Sequence, residues 1–209
     1  MIKLCVFDFD STIMDGETID ILAAANNASE EVANITKRSM NGELDFFESL
    51  TKRVKFLKGL PLLKVNEICK NLPIMPGAGE LIEALKQKGI KVVVFSGGFH
   101  NATDVMQKKL NFDANFANIL QHHKDGILTG EVGGEMMFSS SKGDMIDRLC
   151  GLLNLGKDEI MCVGDGANDI SMFRKCDLSI AFCAKDILKK EATHCVDVKD
   201  LREILKFIR

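Results

Sequence analysis

The chain alternates short apolar runs with longer segments in which apolar residues recur every three or four positions. The short runs have the length of buried strands and cover residues 3–7, 91–95, 159–163, 178–182 and 194–196. Residues 80–88 and 143–155 have helical spacing, and a glycine that can end a helix follows each. This alternation predicts βαβ units around a mainly parallel sheet, that is, a doubly wound α/β fold. The glycines that flank and interrupt the apolar residues within 125–138 predict a small hairpin or flap there.

Residues 15–72 break this alternation, because no strand signal follows the first run. They contain four helix-like segments instead, at residues 17–26, 29–40, 45–57 and 62–71. We therefore predict a helical cap domain at residues 15–72, inserted after the first strand. Residues 1–14 and 73–209 would together form the α/β catalytic core.

Composition narrows the class of protein. Hydrophobic residues make up 46% and charged residues 27% of the 209 positions, as in ordinary folded globular proteins. The formal net charge of −3 offers no excess of positive charge for nucleic acid or an anionic membrane. The first apolar run is too short for a secretion signal, and the seven cysteines form no CxxC pair. We expect a cytoplasmic protein with reduced cysteines and no nucleic-acid or membrane partner.

Carboxylates follow two of the predicted strands. Asp8 and Asp10 come directly after the first strand, and Asp165 and Asp169 follow the strand that ends at residue 163. In an open α/β sheet, ligands bind at the carboxyl ends of the strands. Each cluster alone is a common turn sequence, but two of them at two strand ends predict a site for a hard cation such as Mg²⁺.

A phosphate group beside these carboxylates would need hydrogen-bond donors and a positive charge. Ser96 and Gly97 follow the second strand, where backbone N–H groups can approach an anion closely. Lys142 begins a predicted helix, a position that the helix dipole disfavours for a cation. A simple turn and a surface lysine remain the alternatives for these residues.

Together these segments resemble the four motifs of the haloacid dehalogenase superfamily, whose phosphatases use an aspartate nucleophile. The motifs are Asp8-Phe-Asp-Ser-Thr, Ser96-Gly-Gly, Lys142-Gly and Gly164-Asp-Gly-Ala-Asn-Asp. Further matches extend the resemblance over nearly the whole chain, toward the branch that hydrolyses phosphoserine: Glu17-Thr-Ile-Asp, Met40-Asn-Gly, Arg53 and Leu201-Arg-Glu-Ile-Leu. The resemblance implies a Rossmann-like core with an inserted helical cap.

The resemblance also implies catalytic roles. Asp8 would be the nucleophile that forms an aspartyl-phosphate, and Asp10 would move the proton in both half-reactions. Mg²⁺ would be held by the Asp8 carboxylate, the Asp10 backbone carbonyl and Asp165, with Asp169 in support. The phosphoryl oxygens would be held by Ser96, the Gly97 N–H, Lys142 and Asn168.

The resemblance implies that Glu17 and Arg53 select the substrate, by pairing with the ammonium and the carboxylate of phosphoserine. Met40 and Phe46 would close the pocket with apolar surface. Without the resemblance, simpler interpretations are favoured: a first-turn helix acid for Glu17, a solvated basic run for Arg53 and ordinary core for Phe46.

We therefore expect Mg²⁺-dependent hydrolysis of the small molecule O-phospho-L-serine to L-serine and phosphate, the last step of serine biosynthesis. One alternative keeps the aspartyl-phosphate but transfers the phosphoryl group to homoserine, or acts on another small phosphomonoester. A second alternative is a receiver-like signalling module, in which a single phosphorylation is the output. The predicted proton donor Asp10 and the predicted cap argue against the signalling module. The oligomeric state is left open by the sequence.

Overall fold

A computed structural model describes residues 1–208 and places seven strands in one sheet of order β4-β3-β2-β1-β5-β6-β7. The strands are β1 (Leu4–Asp8), β2 (Lys91–Phe99), β3 (Ala114–His122), β4 (Leu128–Gly134), β5 (Ile160–Gly164), β6 (Leu178–Phe182) and β7 (His194–Val196). All neighbouring strands are parallel except β3 and β4. The predicted doubly wound, mainly parallel sheet is confirmed.

The five predicted strands are present as β1, β2, β5, β6 and β7, with ends shifted by a few residues. The apolar pattern does not predict β3, because polar residues such as Asn115, Asn118 and Gln121 interrupt it. The hairpin expected within residues 125–138 is wrong in its extent. That stretch supplies only β4, which pairs with β3 upstream of it.

The four predicted helices of residues 15–72 are all present: α1 (Thr18–Ala24), α2 (Ser29–Met40), α3 (Phe46–Lys55) and α4 (Leu62–Lys70). We call residues 15–72 the helical insertion. Asp45 begins α3 by accepting a hydrogen bond from the Glu48 N–H. Leu22, Val32, Leu50 and Val54 are buried in the same apolar cluster as the strand residues Phe7 and Val94. The helical insertion is therefore packed onto the sheet and shares its core.

The remaining helices lie between the strands or follow them: α5 (Ala78–Gln87), α6 (His100–Leu110), α7 (Ser141–Leu153), α8 (Ile170–Phe173) and α9 (Asp186–Lys189). Short 3-10 helices cover Lys157–Glu159, Ala167–Asp169 and Leu201–Phe207. Among residues 1–208, no helix combines the length and the apolar character that crossing a membrane would require.

The central strands determine where the site forms. β1 lies between β2 and β5, with Asp8 opposite Phe95 and Phe7 opposite Val163. The chain that continues from these paired residues therefore lies at the same level along the carboxyl edge of the sheet. This register brings the segments that begin with Asp8, Ser96 and Gly164 together.

Candidate active site

A cavity lies at the carboxyl edge of β1, β2 and β5, beneath the helical insertion. Most of the predicted site residues line it: Asp8, Asp10, Glu17, Arg53, Gly97, Asp165 and Asn168. Met40 and Phe46 also line it, as the sequence predicts. Ser96 and Lys142 are fully or almost fully buried, and hydrogen bonds described below tie them to Gly98 and Asp8. The structure thus gathers all the predicted site residues in one place, while their chemical roles stay predictions.

Lys142 joins two of the buried carboxylates. Its Nζ lies 2.6 Å from Asp8 Oδ1 and 2.6 Å from Asp169 Oδ1. Lys142 is the second residue of α7 and only 2% exposed, so the surface-lysine interpretation is wrong. The helix dipole disfavours a cation in the first turn of a helix, and here two direct ion pairs offset that unfavourable interaction.

Asp8 and Asp10 differ in their surroundings although only one residue separates them. Asp8 Oδ1 accepts hydrogen bonds from Lys142 and from the Phe9 N–H, the latter at 2.7 Å. Asp10 Oδ1 instead accepts from the N–H and the hydroxyl of Thr18, at 2.7 and 2.5 Å. The first residue of α1 thus holds Asp10, so the helical insertion and the strand end are joined at this carboxyl group.

The last part of β2, which contains Ser96, Gly97 and Gly98, lies close to the cavity. Ser96 Oγ accepts a hydrogen bond from the Gly98 N–H at 2.9 Å, which leaves the serine proton free to be donated. The buried amide of Asn118 donates to the Gly97 carbonyl at 3.0 Å and exchanges two further bonds with the backbone of Met136. A Cβ on Gly97 would collide with the Phe46 ring, so a larger residue there would require that ring to shift.

Three carboxylates could hold a metal ion. One oxygen each of Asp8, Asp165 and Asp169 lies within 4.8 Å of the others. Asp165 Oδ1 is buried without a hydrogen-bond partner, an arrangement that is unfavourable unless a cation or another donor supplies one. Hard carboxylate oxygens suit Mg²⁺. The residues present therefore fit a divalent cation.

The carboxylate cluster contains Asp8 and Asp165, which the resemblance implies as metal ligands, together with the supporting Asp169. The Asp10 carboxyl is held by Thr18 instead. Both carboxylate oxygens of Asp169 already have partners within the protein. Its Oδ1 pairs with Lys142, and its Oδ2 accepts hydrogen bonds from the N–H groups of Asp165 and Gly166. A role for Asp10 through its backbone carbonyl, as the resemblance implies, stays a prediction.

Burial shifts the protonation of these groups. Burial raises the pKa of Asp8 to about 8, with Asp169 adding to the shift and Lys142 opposing it. Burial and the charges of Glu17 and Asp8 raise the pKa of Asp165 well above its usual range. Burial alone would lower the pKa of Lys142, but Asp169 and Asp8 raise it overall. The protein atoms of the cavity carry an excess of negative charge that a divalent cation would relieve.

Glu17 and Arg53 reach the cavity from the helical insertion. Glu17 Oε1 accepts a hydrogen bond from the Ser11 hydroxyl at 2.8 Å, and burial together with Asp10 raises the pKa of Glu17 to about 8. Arg53 is only 3% exposed, so the interpretation of a solvated basic run is wrong for this residue. An acid and an arginine thus meet the same cavity as the carboxylate cluster.

Some residues of the site have no role that the sequence predicts. Thr18, Thr36 and Asn118 carry none of the predicted chemistry, yet each is buried and hydrogen-bonded to a predicted site residue or its backbone. Ile19, Leu50 and Phe99 line the cavity as apolar walls. Only the folded arrangement reveals these neighbours.

Comparisons with known proteins agree with this geometry. The family model of haloacid dehalogenase-like hydrolases matches residues 2–177. A phosphoserine phosphatase of Campylobacter jejuni subsp. doylei is 60% identical over 208 residues, 100% of both chains. A solved phospho-aspartyl intermediate analogue of phosphoserine phosphatase has a TM-score of 0.96 at 48% identity, covering 100% of this chain and 99% of that one. A substrate-bound phosphoserine phosphatase complex has the same TM-score and coverage at 47% identity. This chain therefore belongs to the haloacid dehalogenase-like hydrolases and, within them, to the phosphoserine phosphatases.

Proposed function

We propose that the protein hydrolyses O-phospho-L-serine to L-serine and phosphate through an aspartyl-phosphate on Asp8, with Mg²⁺ as its metal. The observation that carries this proposal is a single cavity lined by Asp8, Asp165, Glu17 and Arg53. Its carboxylate cluster suits phosphoryl transfer, and its arginine and glutamate match the two charged groups of an amino acid. Relatives named as phosphoserine phosphatases support the same substrate.

In the first displacement, an Asp8 carboxylate oxygen attacks phosphorus while the bond from phosphorus to the serine oxygen breaks. Lys142 and the Phe9 N–H hold Asp8 Oδ1, so the other oxygen is available to attack. The leaving serine oxygen takes its proton from Asp10. Burial raises the pKa of Asp10, although the hydrogen bonds from Thr18 oppose that shift, and a raised pKa favours the protonated form that this step needs.

In the second displacement, water attacks phosphorus and gives its proton to Asp10. The bond between phosphorus and Asp8 breaks, so the carboxylate is restored and phosphate is released. Ser96, Gly97, Lys142 and Asn168 would hold the phosphoryl oxygens as negative charge shifts between them. A bound Mg²⁺, held by Asp8, Asp165 and the Asp10 backbone carbonyl, would screen the repulsion between the anionic nucleophile and the anionic substrate.

The helical insertion would act as a cap over the core formed by residues 1–14 and 73–209. Asp8, Asp165 and Arg53 are almost fully buried beneath the helical insertion. The cap would therefore have to move away from the core to admit phosphoserine and release products. The seven unpaired cysteines support a place in the reducing cytoplasm.

The test is phosphate release from L-phosphoserine, D-phosphoserine, phosphothreonine and sugar phosphates, with Mg²⁺ and with a chelator. Asp8→Asn serves as the blank. We expect multiple turnovers that depend on Mg²⁺ and favour L-phosphoserine. Turnover without that preference would contradict the substrate but keep the phosphatase, and release of one equivalent or less would favour a signalling module. Phosphate transfer to added homoserine in place of water would favour the phosphotransferase.

A further inference from the structure

The Arg53 guanidinium is held by groups that belong to the helical insertion alone. Its Nε donates to the Ser49 carbonyl at 3.2 Å, one turn earlier in α3. Its Nη1 donates to the Thr36 hydroxyl at 3.2 Å, on the neighbouring helix α2. Among residues 1–208, no carboxylate forms an ion pair with Arg53. A guanidinium carries five N–H donors, so most of them stay available to a ligand in the cavity.

Thr36 is the only side chain among the described residues that holds the end of this guanidinium. It is buried, and its Oγ1 also lies 2.6 Å from Asp20 Oδ1 and 3.0 Å from the Val32 carbonyl. Arginine can only donate, so Thr36 Oγ1 must be the acceptor toward Arg53. The single threonine proton then goes to one of the two oxygens, and the shorter contact assigns it to Asp20.

Asp20 completes the arrangement from α1. Its carboxylate accepts the Thr36 proton, which makes the hydroxyl oxygen a better acceptor for Arg53. Burial raises the pKa of Asp20, while the Thr36 hydrogen bond and the charge of Arg53 oppose this shift. Asp20, Thr36 and Arg53 lie on three different helices, so their hydrogen bonds fix the direction of the guanidinium relative to all three.

We propose that Thr36 and Asp20 position Arg53 for recognition of the substrate carboxylate. The inference rests on the proposed function and adds two residues to it. By fixing Nη1, the Thr36 hydroxyl sets the plane of the guanidinium, so its remaining N–H groups face the cavity as a fork for a carboxylate. Neither Thr36 nor Asp20 touches the substrate. Both are positioning residues, and their effect is confined to substrates that carry a carboxylate.

The experiment compares L-phosphoserine with O-phosphoethanolamine, which keeps the phosphate and the ammonium but lacks the carboxylate. Thr36→Val removes the hydroxyl and retains the branched shape. We expect it to raise KM for L-phosphoserine roughly tenfold, with kcat nearly unchanged and with little effect on O-phosphoethanolamine. Thr36→Ser restores the hydroxyl and should restore KM. Thr51→Val is the matched control, because Thr51 bonds only to carbonyls of its own helix.

Asp20→Asn keeps the proposal testable if Thr36→Val does not fold. It should raise KM for L-phosphoserine by a smaller factor, because the amide oxygen can still accept the Thr36 proton without the negative charge. Equal losses on both substrates, or an unchanged KM for L-phosphoserine, would overturn the positioning role. A wild-type enzyme with no preference for L-phosphoserine over O-phosphoethanolamine would contradict the proposed substrate itself and the positioning role with it. A wild-type preference that Thr36→Val leaves intact would contradict only the positioning role.

Discussion

The ring of Phe47 stacks on the ring of Phe138, with centroids 5.2 Å apart and planes inclined by 14°. Phe47 belongs to α3 of the helical insertion, and Phe138 lies in the core shortly before α7. Both rings remain partly exposed, at 38% and 59%. This stack is a surface contact between the helical insertion and the core, so it has to break if the cap opens.

Phe138→Leu should weaken closure of the cap without disturbing the chemistry. Such aromatic pairs contribute about 0.5–1.5 kcal/mol beyond simple burial, which corresponds to a fall of up to about tenfold in the equilibrium constant for closure. We expect kcat/KM for L-phosphoserine to fall by up to that factor, with the melting temperature nearly unchanged. Phe56→Leu is the control, because Phe56 at the end of α3 is exposed to about the same extent as Phe47. Unchanged kcat/KM would show that the stack does not contribute to closure.

Asp8→Asn should abolish turnover, because an amide cannot act as the nucleophile that forms the aspartyl-phosphate. It should also stabilise the metal-free protein near pH 8, since it removes one charge from a cluster of buried carboxylates. Rapid acid quench with labelled substrate, followed by counting protein-bound phosphate, measures the intermediate in the wild type and the variant. Bound phosphate in Asp8→Asn would place the nucleophile elsewhere.

Lys142→Met should reduce kcat at least about a hundredfold, because it removes the cation that joins Asp8 to Asp169 and would meet the phosphoryl group. Lys142→Arg keeps the charge but not the shape, in a site where Lys142 is almost fully buried, so it should restore little activity. Steady-state kinetics at saturating Mg²⁺ separates this loss from weaker metal binding. Recovery of full activity in Lys142→Met at high Mg²⁺ would mean that the lysine serves only charge balance.

The metal-free protein should lose stability as the pH rises from about 4.5 to about 8. The folded-state pKa is about 8 for both Asp8 and Glu17, against ordinary values of 3.8 and 4.5. The folded state therefore binds more protons than the unfolded state across this range, and its stability falls with rising pH. Thermal unfolding in a chelator measures the slope.

Saturating Mg²⁺ should flatten that dependence, because a bound cation favours the ionised carboxylates. Asp8→Asn should reduce the slope in chelator, since one of the titrating groups is gone. A melting temperature that rises with pH in chelator, or a slope that Mg²⁺ leaves unchanged, would contradict the charge excess inferred for this cavity.

The sequence by itself determines the central strands and the helical insertion. Strands β1, β2 and β5 contain short apolar runs that are followed by Asp8, Ser96 and Gly164. The spacing of apolar residues marks all four helices of the insertion. Local periodicity carries this information, because a buried strand and an amphipathic helix each impose a repeat on the adjacent chain. Parallel strands bring their carboxyl ends to one edge, so the pattern also predicts that Asp8, Ser96 and Asp165 meet.

Only the tertiary structure decides the partners of these residues. The pairing of β3 with β4, the bridge from Lys142 to Asp8 and Asp169, and the hydrogen bonds from Arg53 through Thr36 to Asp20 all join positions distant in the chain. No local repeat encodes these contacts. Polar residues such as Asn118 also interrupt the apolar pattern of β3, so the pattern does not predict that strand. Burial of the polar groups in these contacts is tolerated because they find partners within the core or within the helical insertion. The two sets of groups meet at one cavity when the helical insertion packs onto the sheet. That packing, which no segment contains on its own, turns scattered polar residues into one site.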